Sequence, residues 1–91
     1  MSKFYTTKNI SETLELEILI KIHELIIRME GEVDYLQVFD IEDKNLTHSQ
    51  EVPRYKKEHE LGRKYNDCKI FAIRTDEINN SYWTVMYAEE Y

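Results

Sequence analysis

The residues of this chain that could do chemistry are three histidines (His23, His48, His59), one cysteine (Cys68) and many carboxylates. Zinc ligands usually come as pairs a few residues apart, because two side chains from one turn or helix face can then meet one ion. None of the four His and Cys residues has a partner at that spacing. Cys68 paired with a histidine would make a nucleophile and base. No nucleophile signature flanks it, and a free cysteine otherwise packs as a small hydrophobe. Glu51, Glu58, Glu60, Asp76, Glu77, Glu89 and Glu90 supply acids, but a glycosidase-like pair must face across a cleft. A chain of 91 residues has little room for a deep one. The acids therefore read as a solvated surface. The expectation is a non-enzymatic protein with no catalytic residue, no cofactor and no metal site.

Composition narrows the class further. Hydrophobic residues make up 42% and charged residues 33%, a globular rather than disordered balance. Two glycines and one proline leave little material for a phosphate-cradling loop. The net charge of -6 makes nucleic acid and anionic membranes poor partners, since both need clustered Lys and Arg. A lone cysteine fits a reducing compartment. The opening MSKFYTTKNI has no apolar leader core. No apolar run approaches the roughly 20 residues that span a bilayer. The expectation is one cytoplasmic domain over residues 1–91, with no membrane association.

The element that must position everything else is Leu14 to Met29, the only long stretch with helical periodicity. At about 100° per residue, Leu14, Ile18, Leu19, Ile22, Leu25, Ile26 and Met29 share one broad face. Leu16, Ile20, His23 and Ile27 share a second. Glu17, Lys21, Glu24 and Arg28 fill a narrow polar stripe, as two i, i+4 pairs in the favourable order. Asn9, Ser11 and Thr13 are candidate N-caps, with Asn9 and Glu12 spaced as a capping box. Gly31 is placed to end the helix. One small sheet cannot cover both apolar faces, so the second is expected to meet another molecule.

The rest reads as strands. Phe4 to Ile10 is a short edge strand or extended arm. Val33 to Ile41 is a strand apolar on both faces, hence central. Glu42 to Asn45 is a hairpin turn, and Leu46 to Val52 returns. Pro53 marks an edge, a bulge or a break. Tyr55 to Leu61 alternates with charges, Cys68 to Arg74 is a strand, Thr75 to Ser81 a polar loop, and Tyr82 to Ala88 the last strand. The fold class is α+β: one amphipathic helix packed on a four- to five-stranded, mainly antiparallel sheet, with a meander as the simplest order.

Two further patches stand out. Arg54 to Tyr65 holds five basic and two acidic residues, a net +3 against -9 for the rest of a chain whose total is -6. Basic residues between tyrosines suit a nucleic-acid strand. Glu58 and Glu60 interrupt them, and edge strands carry lysine to block aggregation. Tyr82, Trp83, Tyr87 and Tyr91 cluster near the C-terminus as candidate partner-binding aromatics.

Tyr5-Thr6-Thr7, Tyr35-Leu36-Gln37-Val38-Phe39, His48-Ser49-Gln50-Glu51-Val52-Pro53 with Tyr55-Lys56-Lys57-Glu58, and Ala88-Glu89-Glu90-Tyr91 carry a resemblance. With these strings the chain resembles a small family of Gram-positive bacteria and their phages, catalogued as domain-of-unknown-function family 960. The similarity runs nearly the whole length. It implies a single-domain cytoplasmic, often prophage-associated protein and brings no reaction or catalytic residue. One position departs from it: family members tend to place proline at the helix start, where this chain has Glu15.

The sequence thus points to an intracellular protein-interaction module. The expected arrangement is a homodimer through Leu16, Ile20, His23 and Ile27, since a two-fold pair needs one patch on both copies. The alternative is an acidic phage- or prophage-type inhibitor that occupies the nucleic-acid site of an unknown host protein. That alternative needs a contiguous acidic face.

Overall fold

The computed structural model describes residues 3–91. The chain runs β1 (Lys3–Thr6), α1 (Lys8–Thr13), α2 (Leu16–Ile27), β2 (Leu36–Glu42), β3 (Asn45–Gln50), β4 (Tyr55–Glu60), β5 (Cys68–Glu77), β6 (Asn80–Tyr87) and a 3-10 turn, Ala88–Glu90. It is an α+β fold, with the two helices packed against one six-stranded sheet.

The expected helix is α2, and a second, short helix precedes it: β1 ends at Thr6, and Lys8 to Ile10, expected as the end of a strand or arm, begin α1. Thr7 caps α1, its hydroxyl accepting from the Ile10 N–H at 3.3 Å, and Ile10 is fully buried. Leu14 and Glu15 then turn extended, with ψ of 134° and 136°. Glu15 precedes α2 without a side-chain capping bond. Asn9, Ser11 and Thr13 therefore cap nothing. Thr13 instead donates its hydroxyl to the Asn9 carbonyl at 2.7 Å inside α1. One buried apolar residue in six gives α1 no periodicity to read. α2 stops at Ile27, earlier than Gly31, and Gly31 takes a left-handed turn at φ 79° in the connection to β2.

The sheet order is β1-β6-β5-β2-β3-β4. β2, β3 and β4 do form a meander, but β5 then returns to the other side of β2, so the whole is not one. β1 lies parallel to β6, which makes the sheet mixed. The central place of β2 agrees with its two apolar faces. β5 and β6 are longer than expected: the polar segment Thr75 to Ser81 is the end of a hairpin, turning at Ile78 and Asn79. These residues are polar because the hairpin projects beyond the covered part of the sheet, and Ile78 at its tip is wholly exposed.

Alternation along the strands sets the core. Phe39 and Ile41 of β2, Leu46 of β3, Ile70 and Ala72 of β5, and Trp83 and Val85 of β6 are buried against Ile10, Ile18, Ile22 and Ile26 of the helices. The three α2 residues recur every fourth position, so a single row of the helix meets the sheet. The face read as core, from Leu14 to Met29, is buried or half-buried throughout.

Candidate interaction surface

With Ile18, Ile22 and Ile26 turned to the sheet, the second α2 face points roughly 130° away from them by helical geometry. Among the described residues only Phe4, against His23, reaches it. Leu16, Ile20 and Ile27 are 68%, 50% and 59% exposed, and His23 is exposed with them. Their spacing of four, three and four residues is that of a helix seam packed against another helix.

The stripe overlooks β1. A groove of about 220 Å³ between α2 and β1 is lined by Phe4, Thr6, Leu16, Leu19, Ile20, His23 and Val85. The His23 ring meets the Phe4 ring edge-on, with centroids 4.1 Å apart. Phe4 stacks in turn on Trp83 at 6.3 Å. On the far side of His23 a wider cleft, about 700 Å³, opens between the end of α2 and the β5–β6 hairpin. Ile26, Ile27, Val33 and Trp83 form its apolar walls, with Arg74, Asp76 and Ser81 on its polar side.

Arg74 is a clamp in that cleft. Its Nη1 donates to the Val33 carbonyl at 2.9 Å, its Nε to Asp76 at 3.1 Å, and its guanidinium sits 5.6 Å from the Trp83 ring centroid. It ties the connection after α2 to β5. Ser81 lines the same cleft, but among the described residues no hydrogen bond joins it to His23. No nucleophile and base are brought together there.

The other chemistry-bearing residues lie elsewhere. His48 is fully buried: its ring stacks on Phe39 at 4.5 Å and meets Tyr55 at 5.3 Å. Its Nε2 donates to the Gln37 side-chain Oε1 at 2.7 Å. Burial, and then the neighbouring His59, bring its pKa down to about 4. His59 is half-buried and lowered the same way, by burial first and then by Lys21 and Lys57. Burial and then Glu15, Asp67 and Asp40 push the Cys68 thiol up, which leaves little thiolate. Among the described residues no three His, Cys, Asp or Glu side chains converge as metal ligands.

The four C-terminal aromatics do not form one surface. Consecutive β6 residues point to opposite sides of the sheet. Trp83 is 3% exposed in the core, and Tyr87 is half-buried with its hydroxyl 2.7 Å from Thr13 Oγ1. Tyr82 lies on the opposite face, edge-on to Tyr5 at 5.4 Å. Tyr91 is 71% exposed beside Phe71. That opposite face carries a surface the sequence reading did not single out. Leu36, Val38, Phe71, Ile73 and Met86 are adjacent there and half-buried, with no helix over them. The apolar second face of β2 was its signal.

β4 is an edge strand, which agrees with the protective reading of its lysines. The basic residues that follow are engaged: Arg63 pairs with Glu17 and, at 3.8 Å, with Glu15, and Lys64 with Asp43 at 3.9 Å. Other ion pairs, Lys8–Glu12, Lys69–Asp40 and Arg74–Asp76, lie on α1 and the sheet. Six of the chain's 18 acids are engaged in these pairs. No helix among the described residues is long and apolar enough to cross a membrane.

No family model matches the chain, and neither a curated protein nor a solved structure matches it.

Proposed function

We propose that this chain is a non-enzymatic protein-interaction module of the cytoplasm that forms a two-fold homodimer through Leu16, Ile20, His23 and Ile27. One observation carries the proposal: three large aliphatic side chains, each at least half exposed, stand in seam spacing on one helix. The apolar side chains on the open sheet face are a weaker candidate, because they shelter one another and are half-buried already. In an antiparallel pair of α2 helices the seam residues meet as Leu16 with Ile27 and Ile20 with His23, each pair occurring twice. Kinship with the Gram-positive and phage family belongs to the same proposal and rests on the shared strings alone. The inhibitor alternative would gain from a contiguous acidic face; six of the 18 acids are engaged in ion pairs.

The test is mass in solution by light scattering across a wide concentration range. Wild type is expected to pass from monomer to dimer, and the double variant Ile20→Glu, Ile27→Glu to stay monomeric with its circular dichroism unchanged. A wild type that is monomeric at millimolar concentration removes the proposal.

A further inference from the structure

The sheet has two edges, and they are built differently. β4 carries Lys56, Lys57, Glu58 and Glu60 in six residues, the kind of charged edge that refuses a neighbour. β1 has one charge, Lys3, followed by Phe4, Tyr5 and Thr6, which are strand-forming and neutral. This undefended edge lies on the side of the molecule to which the α2 stripe turns, since both line the same groove. We infer that β1 pairs antiparallel with β1 of a second copy, Tyr5 facing Tyr5, so that the sheet runs unbroken through the dimer. The inference rests on the self-association proposed above and names its geometry.

Backbone parity fixes the register. Tyr5 is partnered with Thr84 in the parallel ladder, and Thr7 donates its N–H to the Val85 carbonyl at 3.1 Å. Odd-numbered residues therefore bond inward to β6. Phe4 and Thr6 turn their N–H and C=O groups to the open edge. Two such edges related by a two-fold axis exchange bonds between Phe4 of one copy and Thr6 of the other. That makes four backbone bonds, with Tyr5 and its equivalent as the non-bonded pair at the axis, Cα atoms about 4.5 Å apart. The axis stands normal to the sheet, so both α2 helices lie on the same side. Phe4 and Thr6, which share a groove with the stripe in each copy, then lie beneath the two stripes, which meet across the axis.

Charge fits the same register. Lys3 comes opposite Thr7 of the second copy. The Thr7 hydroxyl donates to the Glu90 carboxylate at 3.0 Å, so each Lys3 ammonium is brought beside a carboxylate. Lys3 is exposed and has no ion-pair partner within its own described chain.

Two measurements test the seam. In a Cys68→Ser background, Tyr5→Cys is expected to form a covalent dimer on mild oxidation, because its Cα separation lies within disulfide reach. Lys3→Cys, several residues from its equivalent, is expected not to. In wild-type protein, which needs no variant to fold, the Phe4 and Thr6 amides are expected to exchange at least about tenfold more slowly at dimeric than at monomeric concentration. A dimer broken by Ile20→Glu that shows neither cross-link nor added protection overturns the seam and leaves the helix interface standing. A wild type monomeric at every concentration overturns both.

Discussion

His48 Nε2 lies 2.7 Å from Gln37 Oε1 with both side chains fully buried. The amide oxygen can only accept, so Nε2 carries a proton, and burial, which lowers the pKa to about 4, keeps the ring neutral at pH 7. Its Nδ1 has no partner among the described residues. Charging this ring would put a cation in the core beside Phe39, next to a second histidine.

Stability should therefore fall with acid at unusually mild pH. The folded-state value of about 4 lies below the ordinary 6.5, so the unfolded chain takes up the proton first. The His48 contribution is complete above about pH 6.5 and is lost as pH falls toward about 4, a total on the order of 3 kcal/mol. His59 shifts in the same direction and adds to the slope. Urea midpoints from pH 7.5 to 4 would measure it. His48→Gln can still donate to Gln37 and should flatten the profile. An unchanged slope in that variant would assign the effect elsewhere.

Gln50 extends the same network to the chain ahead of β2. Its Oε1 accepts from the Asp34 N–H at 2.9 Å and from Gln37 Nε2 at 2.8 Å. Its Nε2 donates to the carbonyls of Glu32 at 3.1 Å and Pro53 at 2.8 Å. Gln50→Ala strands several of these groups, some of them out of reach of water. The expected cost is about 3 kcal/mol, read from urea denaturation. Gln50→Glu should fail as well, because a carboxylate cannot donate to two carbonyls.

Ile20 and Ile22 are two residues apart on α2 and differ in kind. Ile22 is fully buried and Ile20 is 50% exposed. At dilution, where the chain is monomeric, Ile22→Ala should cost about 3 kcal/mol. Ile20→Ala should stay within about 0.5 kcal/mol. Denaturation of the two variants side by side checks this. A large loss for Ile20→Ala would mean that the monomer itself uses the stripe.

Much of this was legible in the sequence, and the reasons differ by residue. The two faces of α2 could be read because burial on a helix follows a fixed angle, and Ile18, Ile22 and Ile26 repeat at it. His48, Gln37 and Gln50 could not be read as buried, because a polar side chain goes inside only when its partners arrive from other strands. The pairing of β2 with β3 that unites them is invisible to periodicity. The sheet order failed for the same reason: nothing local says that β5 returns past β3 and β4 to β2. Asp76 and Ser81 were lost to the cleft because a hairpin standing out from the sheet has the polarity of a loop. The α2 stripe was found because its spacing is regular and its exposure follows from the core row being elsewhere.

Gly31 holds φ at 79°, and a side chain there would meet nothing within 4 Å. Gly31→Ala should therefore cost only the backbone strain, about 1 kcal/mol by urea denaturation. A much larger loss would show that the connection from α2 to β2 cannot hold its shape around Arg74.

Glu17 and Arg63 offer a probe of how α2 is started. Glu15 makes no side-chain cap, so the first turn of α2 relies on Glu17, whose negative charge suits the positive helix end. Arg63 and the Tyr65 hydroxyl both donate to Glu17 Oε1, and Arg63 also lies 4.3 Å over the Tyr65 ring. The connection from β4 to β5 is thereby tied to the helix. The Arg63 bond, and then that of Tyr65, hold the Glu17 carboxyl below its ordinary value. A lowered carboxyl stabilises the fold above its unfolded-state value, and the contribution is lost as pH falls through the folded one. Arg63→Gln should bring the Glu17 titration, followed by carboxyl carbon shifts, back up toward the ordinary range. The shift in wild type should shrink in salt, because both partners stand in water. If Glu17 titrates the same in both proteins, Arg63 does not anchor the helix start, and the connection is held by Leu61 in the core instead.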